Sequence, residues 1–496
     1  MRMALLGIDV GTSGVKASAI DQMGKTLAYA HGAYALHTPE PGVFELSPDE
    51  VWRATGAVVS QVAAQADLAS DPISALCVSS LGESFVLLDD EGTVMGCSPM
   101  YFDRRGGEAL EELLSRADEA TWQEHTGLYP HIRQTLPKLM AWGKQHPARM
   151  EKVRKLHFFA DYILSKFGAP HVTDASLAAT SMMLDVNGCT WWDQAIKWSG
   201  MDAGIFPQVR RSGTDLGTIN PGVAEQLGLK HTVRLILGGH DQMMCAVGAG
   251  IFDSATAANS MGTTDAVTPI MDRLSAAPAL LRAGFRISPY AVRKGMYYSS
   301  AFNLNGGALI SWFHQLFLGK DKMVGDVVYR EMEASMREEP TSLILLPHFC
   351  GRQDAKGADA MTGAITGLTY EADRATLYKA LLEGQAFEIK MWLDRFEEIG
   401  GKIECLHVMG GAARSDKNLQ LRADIFKKTL KRLDNPEAGV LGDAMVAGVA
   451  MGAFSSLEEA GRRLVKTGRR FEPNLERHAC YQERFCEYLR QYARLS

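Results

Sequence analysis

No run in this 496-residue chain approaches the about 18 consecutive apolar residues that a membrane span requires. The start, Met1-Arg2-Met3-Ala4-Leu5-Leu6-Gly7-Ile8, is slightly signal-like, but Asp9 interrupts the apolar run early. Positive charge is not in excess. A formal net charge of −6 removes any general attraction for nucleic acid or an anionic membrane, so a bound anion must be held by local geometry. The eight cysteines form no Cys-x-x-Cys pair and have no histidine at zinc spacing; reduced thiols in a cytoplasmic protein are the expectation. Low-complexity tracts and a Pro/Ser-rich linker are also missing. What remains is a globular composition, 46% apolar and 22% charged, in a chain too long for one core.

The most informative segment is Met3 to Lys16, where an apolar run delivers Asp9 into Gly11-Thr12-Ser13-Gly14. Glycines let backbone N–H groups approach phosphate oxygens, Thr12 and Ser13 add hydroxyl donors, and a carboxylate can face a metal shell. Lys16 follows, either beside the phosphate or as a solvated strand residue. A shorter relative of this loop recurs at Gly262-Thr263-Thr264. A third glycine pair, Gly410-Gly411, ends the apolar run Leu406–Met409. Two phosphate loops in one chain point to two halves closing on one nucleotide.

Period-two runs predict strands over Met3–Asp9, Val15–Asp21 and Thr26–His31, joined through a Gly24-Lys25 turn. Asp49–Ala66 has helical spacing, with Ser47 as cap and Pro48 in the first turn. Ile73–Ser79 and Phe85–Asp89 read as further strands. The second half repeats the theme, with strands at Ala255–Met261 and Asp265–Ile270 and helices at Thr376–Gly400 and Asn418–Lys428. The fold class is mixed α/β. The domain change is placed near Met243–Gly250, and the polar, glycine-bearing stretch Gly351–Thr362 is the expected mobile loop.

Leu235 to Gln242 is another apolar strand that ends in glycines and presents a carboxylate, Asp241. Phosphoryl transfer to an alcohol needs in-line placement, charge stabilisation and a group to accept the hydroxyl proton. A carboxylate at a strand end can be that base; the plainer alternative for Asp241 is an N-cap on the following helix. His240 reads as a hydrogen-bonded supporting residue, since no Ser or Cys nucleophile is arranged around it. In the first half, Glu83, Tyr101, Asp103 and Arg105 supply carboxylates, an aromatic face and a guanidinium suited to a polyhydroxylated ligand. Asp103-Arg104-Arg105 is equally readable as a surface ion-pair cluster.

These residues meet a known pattern. In order, the chain carries Asp9-Val10-Gly11-Thr12-Ser13, Pro41 to Pro48 ahead of Trp52, the Glu83 turn, and Tyr101 to Arg105. Pro137-Lys138-Leu139, Asp161-Tyr162, the Asp241 segment, Gly262-Thr263-Thr264, Leu382-Glu383-Gly384 and Gly410 to Ser415 follow. Over nearly its whole length it resembles the FGGY carbohydrate kinases, the family of xylulokinase and glycerol kinase. The resemblance implies two ribonuclease H-like domains of the actin and hexokinase type around an interdomain cleft. Residues 1–245 would bind sugar and residues 246–496 ATP. It implies Asp241 as catalytic base, and Asp9 with Asp241 near Mg2+. ATP phosphates would lie between Gly11, Thr12, Ser13 and Lys16 on one side and Gly262, Thr263 and Thr264 on the other. Adenosine would lie against Gly410, Gly411, Ala412 and Ser415. Glu83, Tyr101, Asp103, Arg105 and Gln242 would hold a small linear ketose or polyol, and relatives are often homodimers.

The sequence departs from the family at the substrate position. Glu83 stands where glycerol kinase has an acid and xylulokinases usually have histidine, and Leu81-Gly82 replaces the usual Gln-Met or Gln-Arg. Two rivals stay open: a noncatalytic sugar- or nucleotide-responsive module, and an actin- or chaperone-like ATPase.

Overall fold

Ala4–Val10 (β1) is apolar along nearly its whole length because both of its faces are covered. The computed structural model describes residues 3–65, 72–272, 277–318, 332–354, 357–359 and 362–495. In it β1 pairs antiparallel with Gly14–Asp21 (β2), which pairs antiparallel with Thr26–Ala33 (β3). The helix Pro48–Ala63 (α1) then packs on β2 and β3. Its start is as the sequence signals: the Ser47 hydroxyl accepts from Glu50 N, and Pro48 opens the first turn. Ile73–Ser80 (β4) lies parallel to β1. The helix Phe159–Phe167 (α2) covers β4 on the way to Asp215–Thr218 (β5) and Arg234–His240 (β6). β6 is parallel to β4, and β5 closes the edge antiparallel to β6. The helix Asp241–Gly248 (α3) follows β6 without a break.

The second half builds the same sheet again. Thr256–Met261 (β7) pairs antiparallel with Asp265–Met271 (β8), and β8 with Ala301–Asn303 (β9). After Gly307–Leu318 (α4) and the long helix Arg374–Gly400 (α5), Cys405–Met409 (β10) returns parallel to β7. Asp416–Phe426 (α6) leads to Thr429–Leu433 (β11), parallel to β10. The helix Ala438–Ala450 (α7) precedes Thr467–Phe471 (β12), which closes this edge antiparallel to β11. Strand for strand, the order β3-β2-β1-β4-β6-β5 corresponds to β9-β8-β7-β10-β11-β12. This is the paired ribonuclease H-like architecture. Short strands at Ser288–Pro289 and Tyr297–Tyr298 extend the second sheet beyond β8.

Each half has its own apolar cluster, and a third lies between the sheets. It is organised by α3 and α7, which cross against each other, with α7 also lying on β1 and β4 of the first sheet. Glycine makes the crossing possible. A Cβ on Gly248 would stand 1.9 Å from Ala438 O, one on Gly442 2.1 Å from Met244 O, and one on Gly7 2.1 Å from Val440 O. Side chains at those positions would push the backbones apart, so this crossing depends on missing side chains.

Element ends differ slightly from expectation. The strand expected over Phe85–Asp89 is Val86–Leu88. α1 ends at Ala63, and Ala66 lies outside the described residues. α6 runs Asp416–Phe426, since Ser415 caps its start and Lys427 turns left-handed, φ 56°, at its end. Of Gly351–Thr362, residues 355, 356, 360 and 361 lie outside the described residues, and Arg352–Asp354 pairs with Gly357–Asp359.

Candidate active site

The two glycine-threonine turns occupy equivalent places, each following the first strand of its sheet. In the first, Gly11 N donates to Gly14 O. The half-buried Tyr34 hydroxyl donates to the Gly11 carbonyl and lies 3.1 Å from that of Gly14, bracing the loop from behind. Asp9 is the last-but-one residue of β1, and Ser260 takes the corresponding place in β7. The repeat therefore supplies one such acid, not two. Asp9 Oδ1 is buried with no hydrogen-bond partner. Burial raises its proton affinity to about 6, against the lowering pull of Lys16. Lys16, opposite Asp9 across β1 and β2, bonds Glu437 at 2.6 Å, so its ammonium is shared with the second half.

Asp241 is the first residue of α3, and the N-cap position belongs to His240, so Asp241 is not the cap. Its Oδ1 is buried and unpaired. Burial first, then the charges of Asp9 and Glu83, push its proton affinity well above the usual carboxylate range. Asp9 and Asp241 thus meet in one electrostatic environment at the ends of β1 and β6. A third carboxylate, Asp443 of α7, lies in the same field but is engaged by Ser79 Oγ at 2.8 Å. Two unpaired carboxylate oxygens fit a divalent cation that keeps waters and phosphate oxygens as its other ligands. Among the described residues no cluster of three or more His, Cys, Asp or Glu could hold a metal unaided.

The sugar-side residues divide into two groups. Glu83 sits in the left-handed region, φ 61°, a conformation unusual for a non-glycine residue. It is held there by Glu83 N donating to Thr180 Oγ1 at 2.9 Å and by Thr135 Oγ1 donating to its carbonyl at 3.0 Å. Burial alone would push its carboxyl up, but Arg133 and Arg286 hold it below its usual value. Arg133 lies 5.6 Å over the Tyr101 ring. Asp103 and Arg105, by contrast, are occupied with each other. The Asp103 carboxylate accepts from Phe44 N and from Arg105 N, Nε and Nη2, all at 2.8–2.9 Å, and Arg105 Nη2 also donates to Glu45 at 2.7 Å. Gln242 lies partly buried directly after Asp241.

His240 links these groups. Its Nδ1 lies 2.9 Å from the Tyr298 hydroxyl, and its Nε2 lies 3.3 Å from Asp241 Oδ1 without hydrogen-bond alignment. Burial lowers its proton affinity to about 4, so the ring is neutral. Tyr298 and Arg286 both belong to the second half, and Ile287 N donates to Gly127 O at 2.9 Å. The sugar side is therefore composite, with the second half contributing across the cleft.

The second loop lines a cavity of about 640 Å³ with Gly307, Ser311, Tyr378, Gly411, Ala412 and Ser415, a size suited to a nucleoside. Gly307 N donates to Gly262 O at 2.8 Å, which sets the start of α4 against this loop. Gly410 has φ 96°, and a Cβ there would stand 2.7 Å from the Met261 carbonyl. Ser415 accepts from Asn418 N at 3.0 Å as the cap of α6. Asp265, beside Thr264, is buried in a pair with Arg422 and accepts from Asn259 at 2.7 Å. Sequence reasoning missed Arg133, Arg286, Tyr298, Gly306-Gly307, Tyr378 and Asn418. The Gly306-Gly307 pair ahead of an apolar helix was the one readable signal among them.

Comparison with known proteins agrees with this geometry. The N-terminal domain of the FGGY family of carbohydrate kinases matches residues 4–248, and its C-terminal domain matches residues 257–451. A xylulose kinase of Staphylococcus epidermidis is 24% identical over 492 residues, covering 98% of this chain and 96% of that protein. An autoinducer-2 kinase of Escherichia coli is 26% identical over 502 residues, covering 97% and 92%. The crystal structure of gluconate kinase from Lactobacillus acidophilus superimposes with a TM-score of 0.90 at 22% identity, covering 100% of this chain and 98% of that one. No described helix is long and apolar enough to cross a membrane. The chain belongs to the FGGY family of carbohydrate kinases and is an ATP-dependent phosphotransferase acting on a sugar or polyol.

Proposed function

We propose that the protein transfers the γ-phosphoryl group of ATP to a hydroxyl of a small linear ketose or polyol, with Asp241 as the general base. The observation that carries this reading is the buried, unpaired Oδ1 of Asp241, whose proton affinity is raised by burial and by Asp9. A carboxylate in that state readily accepts the hydroxyl proton as the new O–P bond forms. The bond from the γ-phosphorus to the β,γ-bridging oxygen breaks, and ADP leaves. Relatives named for xylulose, autoinducer-2 and gluconate support a small polyhydroxylated acceptor.

Within this scheme Gly11, Thr12 and Ser13 hold the phosphates from one side, and Gly262, Thr263 and Thr264 from the other. The cavity bounded by Gly411, Ala412 and Ser415 receives adenosine. Glu83 accepts sugar hydroxyl protons in hydrogen bonds and Tyr101 packs beside the carbon chain. Asp103 and Arg105 hold the loop that carries Tyr101. Asp9, with Asp241, would hold Mg2+, which when bound screens the triphosphate charge. Closure of the composite sugar side excludes water as a competing acceptor.

Coupled ADP release across three- to six-carbon ketoses and polyols tests the reading, with the phosphorylated product identified by mass and NMR. Stimulation by at least one such compound is expected. ATP hydrolysis that no sugar or polyol stimulates would overturn it in favour of a switch ATPase.

A further inference from the structure

The apolar cluster between the two sheets reaches the surface as a cavity of about 440 Å³. It shares no wall residue with the nucleotide cavity. Its floor is the buried Tyr290, Val292 and Val446, flanked by the partly buried Phe252, Val449 and Leu457. Both halves build the wall. Arg211 to Thr214 belong to the first, in the turn that leads into β5, and the remaining wall residues follow α3 in the chain. One side chain crosses the seam: Arg211 Nη2 donates to Val292 O at 2.7 Å.

The polar groups of this wall are largely engaged already. Ser212 Oγ donates to Asp174 at 3.0 Å, Thr214 Oγ1 to Arg211 O at 2.6 Å, and Ser455 Oγ to Glu459 at 2.6 Å. The Tyr290 hydroxyl donates to Ile251 O at 2.9 Å, and Arg293 pairs with Glu458 at 3.2 Å. Arg211 is the charged wall residue without an ion-pair partner among the described residues, so the rest of its fork is open to a ligand. Apolar faces beside one open guanidinium select a molecule with an apolar body and one negative charge. A neutral molecule of the same shape gains only the burial of its body. A polyol would give up water at hydroxyls that find no partner here.

The place of the cavity gives its occupancy a consequence. α7 runs from Asp9, where a Cβ on Gly439 would stand 3.3 Å from Oδ2, to the cavity at Val446 and Val449. On the other wall, Ser212 and Ser176 both donate to Asp174 Oδ2, and His240 N donates to Ser176 Oγ at 2.9 Å. A body held between walls from different halves fixes their spacing. A kinase with an interdomain cleft must open and close in every turnover.

We propose that this cavity is a second ligand site, for a small organic monoanion with an apolar body, whose occupant slows turnover by holding the two halves at one spacing. The site lies beyond the kinase reading, and its occupancy is measured without turnover.

The test is calorimetry on the full chain with 3-phenylpropionate and with its neutral counterpart 3-phenylpropan-1-ol. The anion is expected to bind about tenfold or more tightly than the alcohol, and saturating ADP should not displace it. Arg211→Met should weaken the anion about tenfold or more and leave the alcohol within about threefold, and Arg211→Lys should recover part of the loss. Val449→Trp, which fills the cavity, should weaken both. With ATP and the acceptor that gives the fastest ADP release, saturating 3-phenylpropionate should lower kcat about threefold or more and leave the KM for ATP within about twofold. No binding, equal binding of anion and alcohol, displacement by ADP, or an unchanged kcat would each overturn the proposal. Selective binding of the anion by a protein that releases no ADP with any acceptor would support the site and overturn the kinase reading.

Discussion

A Cβ on Gly82 would stand 2.9 Å from His240 Cδ2, so the space that a side chain at position 82 would fill is taken by the imidazole of His240. The two residues are one device. Position 82 is glycine, and the histidine preceding Asp241 occupies the room that a side chain there would need. That histidine carries a bond to Tyr298 of the second half and stands against the base.

Gly82→Ala should therefore lower kcat/KM by about tenfold to a hundredfold while the fold persists. The added methyl also meets Thr180 Cγ2 at 2.6 Å, so a stability loss of about 1–3 kcal/mol is expected. Steady-state kinetics and urea denaturation of the same variant check it. Unchanged kinetics would mean that His240 does not position the acceptor.

Asp9 holds its proton up to about 6 in the folded chain, against 3.8 when exposed. Between those values the folded state binds a proton that the unfolded state has released, so stability falls as pH rises through that window. At pH 7 the ionised acid costs on the order of 3 kcal/mol. Asp9→Asn should raise the Tm of the nucleotide-free protein at pH 7, flatten its dependence between pH 4 and 6, and lower turnover at least a hundredfold. Magnesium with ATP should then raise the Tm of the wild type more than that of the variant. Thermal melts across pH check the sign.

Gly442→Ala places a Cβ 2.1 Å from Met244 O at the crossing of α3 and α7. Neither backbone can yield without moving the helix that begins with Asp241. A loss of about 1–3 kcal/mol in urea denaturation is expected, together with a lower kcat.

Gly410→Ala combines a φ of 96° with a close contact to Met261. It should raise the KM for ATP about tenfold and leave the KM for the acceptor within a few-fold. Matched titrations of both substrates check the division of the site.

Much of this was legible locally. An apolar run reveals β1, alternation and turn residues reveal β2 and β3, and Ser47-Pro48 marks the start of α1. The loops at Gly11–Ser13 and Gly262–Thr264 carry their chemistry in adjacent residues. What was not legible depends on approach between distant segments. α7 is rich in Ala, Gly and Val with no polar face, so nothing in it says that it packs on the first sheet. Arg133 and Arg286 stand in no motif, and their meeting at Glu83 follows from how the second half reaches across to Gly127. Asp103 and Arg105 show the converse: types suited to a sugar, spent on one another.

Asp241→Asn tests the proton-acceptor assignment most directly, because it keeps the shape of the side chain and removes only its capacity to take a proton. Turnover should fall by about 10³-fold or more, while calorimetric affinity for ATP stays close to wild type and the melting temperature at pH 7 does not fall, since the variant removes a buried acid whose pKa is raised. Turnover within a few-fold of wild type would contradict the assignment of Asp241 as the base.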